Sequence, residues 1–237
     1  DLEKVLADAK AVGVQRFVCI GAGDDAKSAT DSIRIAEQYP EVWASIGVHP
    51  CDVDSATLAE VEELASHERV VAIGETGLDF FRSTENKDVQ EQVFCESIAL
   101  AKNLHKPLII HCRAALDECL SLLIKHKASE IGGVFHCYAE SAETARRLAD
   151  LNFKVSLTGI LTFSGAAELR EAVAEIPLEQ IMLETDCPYM APTPFRGKPS
   201  EPAHVRVIAE KLAEVKGISL EVVAKRTEQT AEKFFGF

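Results

Sequence analysis

Five side chains able to bind a metal or move a proton fall at comparable places along the chain: His49, Glu75, His111, His136 and Asp186. Each lies at or just beyond the end of a short apolar run, in "ASIGVHP", "VVAIGE", "LIIHC", "GVFHC" and "IMLETDC". Imidazole nitrogens and carboxylate oxygens are ligands for divalent ions, and two histidines with two carboxylates suit one or two such ions. A catalytic site of this kind keeps one coordination position open for water. Taken singly, each residue also has an ordinary role. A strand-end histidine can simply be a satisfied hydrogen bonder, Glu75 can accept from a helix N-terminus, and Asp186 can cap the turn before Cys187 and Pro188. Four potential ligands at equivalent ends of four separate runs favour the metal site.

The elements that must position them alternate. An amphipathic helix opens the chain, with Leu2, Val5, Leu6, Ala9 and Val12 on one face and Gly13 as its stop. Apolar strands follow in "QRFVCIGAG", "EVWASIGVHP", "RVVAIGE", "KPLIIHC", "GGVFHCY", "FKVSLTGILTF" and "EQIMLETDCPY". Helical patterns separate them: 26–38, "SATLAEVEELASH", about 89–104, about 116–125, "SAETARRLADLN" with Ser141 as N-cap, and about 166–174. The stretch "MAPTPFRGKPSEP" is too rich in Pro and Gly for a regular element, and two helices close the chain near 204–215 and 220–235. Near-continuous apolar strands alternating with helices predict a parallel sheet covered by helices. Strand ends recur at roughly 20 to 35 residues, enough for a βα unit.

Seven strands are expected, one short of a closed (β/α)8 TIM barrel. The chain opens on a helix, so the simplest repair places the first strand upstream of Asp1. An open doubly wound sheet is the competing architecture. The barrel is favoured because polar residues gather at the C-terminal strand ends and no glycine-rich dinucleotide fingerprint follows the first strand. Residues 1–237 are read as a single domain. Period two along a strand turns Cys112 away from His111 and Cys137 away from His136, so the cysteines are read as small core residues and not ligands.

Composition narrows the function classes. The 237-residue chain is 47% hydrophobic and 27% charged, in the range of a globular protein with a substantial core. A net charge of −13 argues against coating long duplex DNA with a broad basic face, but leaves room for a local phosphate site. No apolar run approaches the roughly 18 residues of a membrane span, and "DLEKVLADAK" carries no signal-peptide pattern. The seven cysteines are odd in number and form no C-x-x-C pair, so a reducing cytoplasm is expected.

The motifs "IGVHP" (46–50), "AIGETGLDFF" (72–81), "PLIIHCRAA" (107–115), "GVFHCY" (133–138), "LTGILTF" (157–163), "LETDCPYMAP" (183–192) and "FRGKPSEPAHV" (195–205) run in one order across nearly the whole chain. Together they resemble the TatD family of metal-dependent deoxyribonucleases, within the amidohydrolase-like barrels. The resemblance implies a two-metal phosphodiesterase, a 3′→5′ exonuclease on DNA and sometimes RNA. It implies Glu75 as the bridge between the two ions and His111 and His136 as ligands of the second. Asp186 is implied as a ligand of the first ion that orients or deprotonates the attacking water. The family also carries His-x-His on its first strand, a pair missing here along with that strand. A chain beginning at Asp1 is therefore expected to catalyse weakly or not at all. Three further departures are Ala114 where an acidic residue is common, Ser200 where Asn is common, and His204 in place of Tyr or another large residue.

Around this constellation, Arg82, Arg113, Arg196 and Lys198 are candidates for phosphate contact, against ordinary surface ion pairing. His49 either touches the scissile phosphate or fixes its own loop. Asp79 either orients a metal ligand or Arg82, or closes a turn. Phe80, Phe81 and Tyr189 are read as packing residues of the core or rim in preference to base-stacking ones, and His67, His105 and His126 as surface. The two histidines favour zinc or a similar ion and the carboxylates tolerate magnesium or manganese. The expected partner is DNA, single-stranded or at a 3′ end, with a monomer favoured. The rival readings are a barrel hydrolase of a small amide, lactone or phosphoester, and a non-catalytic scaffold.

Overall fold

A computed structural model describes residues 1–23, 26–54 and 58–237. Seven strands form one parallel sheet in sequential order: β1 (Phe17–Gly21), β2 (Val42–Ile46), β3 (Val70–Asp79), β4 (Leu108–Arg113), β5 (Gly133–Phe135), β6 (Phe153–Leu157) and β7 (Ile181–Leu183). The helices are α1 (Leu2–Ala11), α2 (Ala26–Gln38), α3 (Leu58–Ala65), α4 (Lys87–Leu104), α5 (Leu116–Lys125), α6 (Ala142–Asp150), α7 (Ala167–Glu175), α8 (Val205–Lys216) and α9 (Leu220–Phe235). Sequential parallel order with a crossover in every connection is the arrangement of a TIM barrel, here with seven strands. The helix expected over 55–67 is α3, and its residues 55–57 lie outside the described residues. No helix among the described residues is long and apolar enough to cross a membrane.

Alternation divides the side chains between two faces. Ala44, Ile46, Ile73, Leu108, Ile110, Phe135, Val155, Leu157 and Ile181 join the large core that packs under the helices. The opposite face carries a smaller cluster of Ala72, Ile109, Val134 and Met182, against which Ala231, Phe234 and Phe235 of α9 pack. Residues two positions further along those strands, His111 and His136, lie on this second face. The histidines therefore stand above an apolar floor at the C-terminal ends of β4 and β5.

Strand β3 departs from expectation. It does not end at Glu75 but continues to Asp79, with a bulge. Ile73 pairs with Leu108 and Thr76 with Ile110, so Gly74 and Glu75 together face Ile109. The extra residue resets the alternation. Before it, Ala72 lies on the inner face. After it, Thr76 hydrogen-bonds Ser97 of α4 and Leu78 joins the outer core, which leaves Glu75, Gly77 and Asp79 inward. The close approach to β4 requires glycine. A Cβ on Gly74 would lie 2.4 Å from the Ile109 carbonyl oxygen, and one on Gly77 2.0 Å from that of His111.

Other strands are shorter than expected. β6 stops at Leu157, and the following Gly159–Thr162 is a 3₁₀ turn with Thr158 Oγ1 accepting from the Ile160 N–H at 3.4 Å. The chain turns there because Gly159 packs on the Met190 backbone, 1.9 Å from where a Cβ would sit. Ser141 does cap α6, accepting the Thr144 N–H at 3.2 Å.

Candidate metal centre

The bulge of β3 delivers Glu75 into the mouth, and three imidazoles converge on one of its oxygens. Glu75 Oε1 lies 2.7 Å from His136 Nε2, 2.9 Å from His111 Nδ1 and 3.4 Å from His49 Nε2. His111 Nδ1 and His136 Nε2 are 3.3 Å apart. One ligand atom from each of His49, Glu75 and His111 also falls within 4.8 Å of the others.

Neighbours determine which nitrogen of each ring is available. His111 Nε2 meets Asp79 Oδ2 at 3.0 Å. A carboxylate only accepts, so Nε2 carries the proton and the Nδ1 lone pair faces Glu75. Asp79 is fully buried, and its Oδ1 accepts the backbone N–H groups of Phe81 at 3.0 Å and Arg82 at 2.8 Å. His49 is the opposite case. Its Nδ1 accepts the Cys51 N–H at 3.1 Å, which leaves the proton on Nε2, aimed at Glu75. His49 is thus built as a hydrogen-bond donor, whereas His111 presents a lone pair.

His136 has a partner that the linear sequence does not announce. Glu184 Oε1 stands 3.7 Å from His136 Nδ1 and accepts the Cys137 N–H at 2.6 Å. β7 ends at Leu183, so strand alternation does not extend to Glu184 and gave no signal for it.

The charges respond to this crowding. Burial alone would raise the Glu75 carboxyl, but the charge of His136 and the imidazoles gathered on its oxygen hold it well below its ordinary value. Burial would lower His136, yet Glu75 and Glu184 hold it well above the usual imidazole range. Asp186 is different: burial, with Glu184 and Glu75 nearby, pushes it up to about 6 despite His136. Among the described residues no hydrogen bond or ion pair ties its carboxylate to the cluster, and its backbone is left-handed at φ 53°.

The donor set fits a divalent ion. Glu75 Oε1, His111 Nδ1 and His136 Nε2 form a triangle with edges of 2.7, 2.9 and 3.3 Å. Ligands about 2.05 Å from one ion stand ~2.9 Å apart in octahedral geometry and ~3.3 Å apart in tetrahedral geometry. Three electron-rich atoms this close need a cation or a proton among them.

The cationic candidates line the rim. Arg82 is exposed, with Nε 4.0 Å from Asp79 Oδ2. Arg113 lies with its guanidinium 4.0 Å from the Phe81 ring centroid, and Arg196 3.8 Å from that of Phe163. Lys198 is exposed on the loop after β7. Ser200 and His204, two of the three departures from the family pattern, sit together: Ser200 Oγ is 3.4 Å from His204 Nδ1, and His204 stacks on Phe195 at 4.2 Å.

Two expectations need correction. Phe80 is buried, but Phe81 and Tyr189 are 67% and 69% exposed, because each follows a strand end on a loop that projects from the mouth. The cysteines are all free, but they are not uniformly core. Cys119 is buried and Cys112 packs against the core, whereas Cys187 is exposed and Cys51 Sγ lies 3.8 Å from Asp79 Oδ2. Cys51 and Cys187 follow strand ends, where alternation no longer sorts side chains inward and outward.

Known proteins share this architecture. Residues 1–236 match the family described as TatD related DNase. The chain is 42% identical over 238 residues to the uncharacterized metal-dependent hydrolase YabD of Bacillus subtilis strain 168, covering 99% of this chain and 92% of that one. It is 34% identical over 244 residues to the 3'-5' ssDNA/RNA exonuclease TatD of Klebsiella pneumoniae strain 342, covering 100% and 92%. The crystal structure of YJJV, a TatD homolog from Escherichia coli K12, aligns with a TM-score of 0.93 at 27% identity, covering 100% of this chain and 92% of that one. With a matching family over nearly its whole length and relatives of the same kind, this chain belongs to the TatD related DNase family of metal-dependent hydrolases.

Proposed function

We propose that this metal-dependent hydrolase cleaves phosphodiester bonds, releasing nucleotides from the 3′ end of single-stranded DNA, and of RNA. We take residues 1–237 to act as one domain, in the reducing cytoplasm that seven free cysteines suit. The observation that carries the reading is the focus of three imidazole nitrogens on Glu75 Oε1, with a half-buried carboxylate at Asp186 nearby. Glu75, His111 and His136 would hold an ion, with Glu75 shared with a second ion held by Asp186. When bound, such ions polarise a phosphoryl oxygen and acidify water. Asp186 takes the proton of the attacking water, a task open to it because no hydrogen bond from the described residues occupies its carboxylate. His49 donates its Nε2–H to a non-bridging phosphate oxygen. Asp79 holds the His111 ring in its ligating tautomer, and Glu184 does the same for His136. Arg82, Arg113, Arg196 and Lys198 face the phosphates of the strand. The Klebsiella relative, an exonuclease by name, supports the substrate class.

The test is to incubate the full-length protein, with the first strand expected upstream of Asp1, with 3′-end-labelled single-stranded DNA, with and without chelator. Chelator-sensitive release of mononucleotides is expected. Turnover of small esters with intact DNA would instead support the small-substrate hydrolase, and failure to retain any divalent ion would support the scaffold.

A further inference from the structure

Two aromatic rings at the mouth stand in water, and each hangs from a carboxylate residue of the centre. Phe81 is 67% exposed, and its N–H is fixed on Asp79 Oδ1 at 3.0 Å. Tyr189 is 69% exposed, and its N–H donates to the Asp186 carbonyl oxygen at 2.8 Å. Single exposed apolar residues are ordinary on a surface. A matched pair, each pinned by a backbone hydrogen bond to a residue of the catalytic cluster, is not a scattered one.

The chemistry beside these rings is equally specific. Arg113 pairs in register with Asp79 across β3 and β4, and its guanidinium lies 4.0 Å from the Phe81 ring centroid. One face of the ring is covered by a cation, and at this exposure the other is open. The Arg82 N–H is pinned to the same Asp79 oxygen at 2.8 Å, so a second guanidinium leaves the same turn. At Tyr189 the loop doubles back, with the Ser200 N–H donating to the Pro188 carbonyl oxygen at 2.8 Å, which brings the Lys198 segment alongside. An aromatic face next to a cation suits a planar base followed by its phosphate.

We propose that Phe81 and Tyr189 are stacking platforms for unpaired bases, so that the centre selects a single strand over a duplex. This rests on the nucleic-acid reading above and names the residues that set its specificity. Every base has a π-face, so recognition of this kind tolerates any sequence. Bases inside a duplex are already stacked on each other and present no free face.

The test measures binding, with chelator present so that nothing is cleaved. The probes are a fluorescein-labelled oligothymidine, the same backbone without bases, and an oligothymidine carrying 2-aminopurine, whose fluorescence is quenched by stacking. Phe81→Ala and Tyr189→Ala should each weaken oligothymidine binding roughly tenfold. Each should relieve 2-aminopurine quenching and leave the much weaker affinity for the baseless strand unchanged. Phe81→Trp should restore both affinity and quenching. Equal weakening for the baseless strand, no weakening for oligothymidine, or no binding of single strands by the wild-type protein overturns the proposal. If the full-length wild type binds and quenches yet releases no nucleotide when manganese is supplied, the platforms stand and the nuclease reading falls.

Discussion

At Asp79 one carboxylate serves two sets of donors: Oδ1 takes two backbone N–H groups and Oδ2 takes the His111 Nε2–H. Asp79→Asn keeps the shape but turns one acceptor into a donor, so one set must lose its partner. If the imidazole loses it, His111 no longer has a fixed tautomer. Affinity for manganese, read by titration calorimetry, should fall roughly 10- to 100-fold. Unchanged affinity would remove Asp79 from the centre. Glu184→Gln is milder by the same logic. The amide oxygen can still accept the Cys137 N–H, and only the charge 3.7 Å from His136 Nδ1 is lost. Its loss of affinity should be smaller than that of Asp79→Asn, and a larger loss would show that Glu184 is itself a ligand.

At the level of elements, the β3 bulge decides the geometry, and two glycines permit it. Gly77 has φ +138°, and a Cβ there would meet the His111 carbonyl oxygen at 2.0 Å. Gly77→Ala should destabilise the fold by more than about 1 kcal/mol in urea unfolding, because both conformation and space oppose it. At Gly165 a Cβ would find no atom within 4 Å, and φ is not positive, so Gly165→Ala should be neutral or stabilise by up to about 1 kcal/mol. Equal effects at the two positions would mean that the β3–β4 approach is not tight. The bulge also marks where the sequence stopped being legible. Strand order, and the arrival of His111 and His136 at one mouth, follow from apolar runs and period two, which are local properties. In "GETGLD" the glycines read as the end of a strand, since a turn and a close backbone approach call for the same residue. The partner of Glu184 and the exposure of Phe81 were hidden for a related reason. Both depend on loops whose path is set by long-range contacts, not by periodicity.

Over the whole molecule, binding of an ion by the folded chain alone should raise its thermal stability. At free manganese a hundredfold above Kd the gain is about 2.7 kcal/mol, or roughly 5–10 °C for a chain of this size. Chelator should reverse the rise, and His111→Ala should abolish it. A rise that survives that substitution would locate the ion elsewhere. The net charge of −13 bears on the other ligand. With four candidate cations at the mouth, the slope of log affinity for a single strand against log salt should not exceed about −3 in magnitude. A steeper slope, measured by anisotropy across potassium chloride concentrations, would require a basic surface beyond Arg82, Arg113, Arg196 and Lys198. The arrangement around Asp79 also has a genetic consequence. The orientation of the His111 ring, the posture of an aromatic ring and the closure of the turn after β3 all converge on a single side chain there. A selection for altered substrate choice should therefore recover changes at Phe81 or Tyr189 and never at position 79, where no trait can vary without the other two.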